Sequence, residues 1–135
     1  MATTPSLRFL SLFVPNLEQA VTLYTHVLGV QPTPTPTHAP ATHPFAARGP
    51  VVFELGGVEL ALYQCDQRTT HPGDVGIGLC VDGSPAELAR RAADKGGRVF
   101  FGPRPLPGDG RPCAALVLPD RHFFEVVGRA GEPSG

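Results

Sequence analysis

The sequence carries no excess of charge. Eleven Lys and Arg stand against twelve Asp and Glu, a formal net charge of -1, with no basic patch and no run of like charges. Nucleic acid is therefore not an expected partner. Long apolar runs are missing as well. The longest, Leu7 to Val14, is interrupted by Arg8 and Ser11 and falls far short of the roughly 20 residues that cross a bilayer. It also lacks a basic lead-in and a small-residue cleavage site, so it reads as a strand rather than a signal peptide, and no membrane association is expected. Cysteines are few: Cys65, Cys80 and Cys113 are odd in number and lack metal or redox spacing. That excludes a disulfide framework and fits a reducing cytoplasm, with the three as small buried residues.

What remains fits one domain of 135 residues, or two small halves sharing a core. Proline is plentiful but unevenly spread. "QPTPTPTHAPATHP", residues 31–44, holds five prolines and two histidines, His38 and His43. Proline removes a ladder donor, so the segment cannot be a central strand and reads as an irregular edge or a mobile flap. The histidines there are expected to be solvated. The polar tail "RAGEPSG" is expected to fray.

The chain repeats itself. "SLFVPNLEQAVTLYTHVLGV" begins as a strand and passes through Pro15 and Asn16 into a helix. Apolar spacing at Leu17, Ala20, Val21, Tyr24 and Leu28 marks its inner face, and Gly29 stops it. "GLCVDGSPAELARRAADKGGRV" does the same, with Ser84 as N-cap, Pro85 at the first helical position, and Leu88, Ala92 and Ala93 inward. Placing Leu12 on Leu79 sets the offset at 67 residues, and Gly29 then falls on Gly96. Strands follow each helix. "PVVFELGGVELALYQ" reads as a hairpin turning at Gly56 and Gly57, and "RVFF", "CAALVLPD" and "HFFEVVG" supply three more.

Alternation along the strands sorts two faces. Leu10, Leu12, Val14, Leu60, Leu62, Ile77, Leu79, Val81, Phe124 and Val126 form the face expected under the helices. The other face carries Phe9, Ser11 and Phe13, then Glu59, Ala61 and Tyr63, then Gly76, Gly78 and Cys80, then Phe123, Glu125 and Val127. Aromatic, acidic and very small residues together suit a concave ligand surface better than a packed core. "FGPRPLPGDGRP", with Phe101, Arg104 and Arg111, has the composition of a loop at its mouth.

These residues resemble the vicinal oxygen chelate superfamily, which includes glyoxalase I, extradiol dioxygenases and the bleomycin-resistance proteins. "FVPNLEQAVTLYTHVLGV" is similar to the opening strand and helix of that superfamily, and "LPDRHFFEVV" to its closing turn and last strand. The resemblance implies an α+β fold of tandem βαβββ modules curled into a half-open cup. A single domain, 1–135, would hold modules at about 7–64 and 74–128, a Pro-rich flap at 31–50 and a tail at 129–135. It also implies a homodimer, and metal ligands on the first and last strand of each module. By register those positions are Phe9, Gly76, Ala61 and Glu125.

Three of the four have no metal-binding atom, whereas a divalent catalytic site needs about three protein ligands. No metal and no cofactor are therefore expected, unless Glu125 and Glu59 recruit a histidine of the flap. The expected ligand is a small aromatic or cationic metabolite or antibiotic, held by Phe9, Ser11, Glu59, Ala61, Tyr63, Gly76, Phe101, Phe123 and Glu125. Small residues at Gly76, Gly78, Ala61 and Ala115 leave it room, unless Phe9 fills the vacant metal position. Two function classes follow: sequestration, as by bleomycin-resistance proteins, or a metal-free lyase or isomerase with Glu125, and His122 or Glu59, as acid and base. The alternative for Glu125 is a simple ion pair with Arg104 or Arg111, and for His122 a solvated place in its turn.

Overall fold

The structure, a computed structural model, describes residues 4–43, 46–65, 75–106 and 110–129. The first half runs β1 (Pro5–Val14), α1 (Leu17–Leu28), β2 (Arg48–Leu55) and β3 (Val58–Gln64). The second runs β4 (Val75–Val81), α2 (Pro85–Asp94), β5 (Arg98–Pro105), β6 (Pro112–Val117) and β7 (Phe123–Val127). All seven strands form one sheet in the order β2-β3-β1-β4-β7-β6-β5.

Local chemistry sets the helix ends. The Asn16 side chain accepts from the Gln19 N–H, and Gly29 closes α1 in the left-handed region at φ 71°. In α2 the Ser84 side chain accepts from the Ala86 N–H, and Pro85 opens the first turn. Leu17 and Ala20 press α1 onto Phe53, Leu60 and Leu62. Pro85, Ala89 and Ala92 are the buried residues of α2, and Ala93, expected inward, is exposed because Ala89 lies on the inner face instead. Between β2 and β3, Gly56 and Gly57 both take positive φ, as a two-residue hairpin turn demands.

The repeat appears as symmetry of the sheet. β1 runs parallel to β3, and β4 parallel to β7. Where the halves meet, β1 and β4 are antiparallel, with Leu10 opposite Ile77 and the pairs Phe9–Gly78 and Ser11–Gly76 on either side. Leu10 and Ile77 are themselves related by the 67-residue offset, so a pseudo-two-fold axis passes between them.

The halves differ in one element. The second has three strands after its helix, whereas the first has two among the described residues. The segment that the offset places on β5 is 31–38, where prolines stand at 32, 34 and 36. Among the described residues one backbone–backbone bond from this segment to the sheet remains, from the Thr33 N–H to the Val52 carbonyl. This segment is therefore an irregular edge up to about Thr33, and beyond that it turns away from the ladder. The expected flap range also overlaps β2, which begins at Arg48, and the expected mouth loop, 101–112, is strand over its first five residues, since β5 reaches Pro105. Of the expected tail, 130–135 lie outside the described residues.

Candidate functional site: a cup closed by its own chain

The face carrying Phe9, Ala61, Tyr63, Glu125 and their neighbours is concave, as the alternation predicts, but it is packed. Phe9, Phe13, Ala61, Tyr63, Ala115, Phe123 and Val127 form one buried cluster, and Ala39 and Leu106 belong to it. The chain between 37 and 43, hereafter the strap, lies across the strands and brings Ala39, Pro40 and His43 into the interior. The sequence reading of an open ligand surface is corrected here: the room is occupied by the chain itself.

Polar anchors hold the strap down. Glu59 on β3 is 1% exposed, and its carboxylate accepts four bonds, from three consecutive backbone N–H groups and one hydroxyl. Oε2 takes the Thr37 N–H at 2.6 Å and the Thr37 hydroxyl at 3.0 Å. Oε1 takes the His38 N–H at 2.8 Å and the Ala39 N–H at 2.7 Å. Burial works to raise the pKa of Glu59, but the donors from Thr37, Ala39 and His38 outweigh it and hold the carboxyl below its ordinary value. The Tyr63 hydroxyl donates to the Pro40 carbonyl at 2.6 Å. Arg111 donates to the carbonyl of His38 at 3.0 Å, with a longer contact to that of Ala39.

Glu125 meets the strap at its far end. His43 Nε2 contacts Glu125 Oε2, with both side chains almost wholly buried. The partner of Glu125 is thus a histidine rather than Arg104 or Arg111, and His43 is not solvated as expected. Aromatic rings wall the pair: the Phe13 ring meets His43 edge-on at 4.8 Å, and Tyr63 lies 5.1 Å from it.

The glycines explain how these groups fit. A Cβ on Gly78 would stand 2.3 Å from the Phe9 ring, and one on Gly76 2.8 Å from Glu125 Oε1. The space that the glycines free is taken by Phe9 and by the Glu125 carboxyl. Among the described residues two buried side-chain oxygens nevertheless have no hydrogen-bond partner, Ser11 Oγ and Glu125 Oε1. Both belong to the concave surface beside Gly76, which lies opposite Ser11 on the neighbouring strand. Such orphaned acceptors cost of the order of 1–3 kcal/mol each, so the floor of the cup is primed to accept a donor.

Other expected site residues lie elsewhere. His122 is exposed on the turn before β7 and pairs with Asp120 at 3.2 Å, away from any contact with Glu125. Those contacts to His122 hold Asp120 below its ordinary value. Phe101 is half-buried at the cluster edge, with the Arg104 guanidinium 4.4 Å above its ring. Cys80 is no activated nucleophile, since burial pushes its thiol up despite the Arg111 and Arg8 charges nearby.

A metal does not fit the four positions that the resemblance points to. Phe9, Ala61 and Gly76 present no donor, Glu125 is engaged by His43, and all four lone-pair sites of Glu59 face the strap. Among the described residues no group of three His, Cys, Asp or Glu is placed to hold a metal ion.

An open, curled seven-stranded sheet with one helix behind each half defines the class: this is the vicinal oxygen chelate fold. Solved structures agree. A hypothetical protein of Bacillus halodurans C-125 superposes with a TM-score of 0.69 at 12% identity, covering 98% of this chain and 99% of that one. Methylmalonyl-CoA epimerase of Mycobacterium tuberculosis gives 0.62 at 14%, covering 92% and 87%. A glyoxalase/bleomycin resistance protein/dioxygenase superfamily member of Vibrio splendidus 12B01 gives 0.57 at 17%, covering 93% and 100%. At such identities the likeness is one of fold. No family model matches the sequence, and no curated protein matches it.

Proposed function

We propose that the chain binds a small aromatic or cationic organic molecule in the cup without a metal, in the sequestering manner of bleomycin-resistance proteins. One observation carries this reading: Glu59 and Glu125, the two carboxylates of the cup, are engaged by donors that the strap delivers between aromatic walls. Backbone N–H groups at Glu59 and an imidazole at Glu125 stand where the donors of a nitrogenous ligand would go. The orphaned Oε1 of Glu125 and the Ser11 hydroxyl supply two further acceptors.

Binding then competes with the strap. A ligand meets a site whose competent form is a minor population, and its apparent affinity falls by that fraction. Releasing the strap strengthens binding. The test is a thermal-shift and calorimetric screen of aromatic amines and cationic antibiotics against the wild type and Arg111→Ala. Arg111 holds the strap by its carbonyls, so hits should bind the variant about tenfold more tightly. Equal affinity of both proteins for every hit would defeat the reading.

A second reading rests on the buried His43–Glu125 contact, which is a proton-transfer pair in a dry, aromatic setting. A metal-free lyase or isomerase would use Glu125 as base. Turnover of a bound hit that disappears in Glu125→Gln, while binding persists, would establish it. Metal analysis of the purified protein checks both readings, because a stoichiometric transition metal contradicts them. The expected homodimer belongs to this proposal too. Leu23 and Val27, one turn apart on α1, are 56% and 65% exposed and offer an apolar surface for a partner copy.

A further inference from the structure

The two helices share a repeat but not a surface. By the 67-residue offset, Val21, Tyr24, Thr25 and Leu28 of α1 correspond to Leu88, Arg91, Ala92 and Lys95 at α2. In the first half Tyr24 and Leu28 pack against the cluster beneath the helix. In the second half the same flank has lost that apolar bulk. Two cations, Arg91 and Lys95, replace it, and a cavity of about 360 Å³ lies there between α2 and the convex face of the sheet.

Leu79, Leu116, Phe124 and Leu118 line the cavity from the sheet side, Leu88 and Ala92 from the helix. Arg91 and Lys95 complete the rim, one turn apart. Leu88, Leu79, Leu118 and Phe124 are only partly buried, so an apolar surface is left incompletely covered. Arg91 reaches Glu87 at 3.7 Å and is about half exposed, so its head remains within reach of solvent. The rim is cationic and the interior apolar.

We infer that this cavity binds a small amphipathic carboxylate, with an acyl or aryl body against the leucines and Phe124 and the carboxylate at Arg91 and Lys95. The volume is in the range of small-molecule sites. Burying apolar surface gives the affinity, and the paired cations select for an anion over a neutral analogue of equal length. The site is on the opposite side of the sheet from the strap and the cup, so it does not depend on the function proposed for them.

The experiment uses octanoate and octanamide as probes, with methyl NMR shifts of the leucines and calorimetry as readouts. Octanoate should bind saturably, shift Leu88, Leu116 and Leu118, and bind about tenfold more tightly than octanamide, the difference two partly exposed charge contacts supply. Replacing both cations, Arg91→Gln with Lys95→Gln, should abolish that difference while leaving the thermal midpoint close to that of the wild type. Filling the cavity with Ala92→Leu should abolish binding of both probes; if that variant does not fold, the cation variant still decides. Equal binding of acid and amide by the wild type, no saturable binding, or shifts confined to cup residues such as Ala61 would overturn the inference. So would leucine methyls of the cavity that a soluble paramagnetic agent cannot reach in a dimeric protein, because a second copy would then be the occupant.

Discussion

Glycine 78 and phenylalanine 9 act as one unit across the β1–β4 pair. The Phe9 ring lies where a Cβ of residue 78 would be, 2.3 to 2.5 Å from three ring atoms. Gly78→Ala is therefore expected to cost about 1–3 kcal/mol by overpacking, measured by chemical denaturation. Phe9→Leu in the same chain should recover part of the loss, which separates this clash from any general intolerance of a strand alanine. Glu59 gives a pH-dependent counterpart. Its carboxyl is held below the ordinary value of 4.5 in the folded chain, so its contribution is complete above about pH 4.5 and is lost as pH falls through the lower folded value. Hydrogen exchange at the amides of Thr37, His38 and Ala39 should accelerate over that acid range. In Glu59→Gln those amides should exchange faster at neutral pH and lose the acid dependence.

At the scale of elements, helices and strands were legible in the sequence because each carried its own local chemistry. Asn16, Ser84 and Pro85 announced helix starts, Gly29 a stop, and Gly56–Gly57 a hairpin, and the structure uses each in that role. Asn16→Ala should accordingly cost about 1 kcal/mol, and Leu62→Ala, which empties a fully buried place under α1, about 2–5 kcal/mol; urea unfolding checks both. The strap was not legible in the same way. Its prolines correctly excluded a central strand, but nothing local to 37–43 reveals that Glu59, 20 to 22 residues from Ala39 and Thr37, would gather its amides. His43 was misjudged for the same reason: a histidine among prolines reads as solvated until the tertiary fold carries it to Glu125. His122, beside Glu125 in sequence, proved to be the exposed one.

For the whole molecule, the 67-residue repeat foretold the architecture. Register pairs such as Leu10 with Ile77 then follow from symmetry. Alternation also identified the concave face correctly, including Glu59 and Glu125. It did not reveal whether that face was empty, since two-residue periodicity records which way side chains point and not what lies over them. The metal positions were informative through their chemistry alone: Phe9, Ala61 and Gly76 bring no donor wherever the chain folds. At this scale the expected measurement is mass in solution, and light scattering at micromolar concentration should give a dimer. A monomer would leave Leu23 and Val27 as isolated surface residues.

Prolines at 32, 34 and 36 have a bearing on solubility as well as on shape. Proline brings no N–H, so positions 32, 34 and 36 offer no donor to another strand, while Thr33 bonds inward to Val52. A strand edge is ordinarily a template on which another chain can pair and aggregate. Here the margin at β2 is met at Thr33 by a segment whose alternate positions carry no donor. Replacing the three prolines with valine should restore a pairing-competent edge, and the variant should aggregate faster on mild heating than the parent.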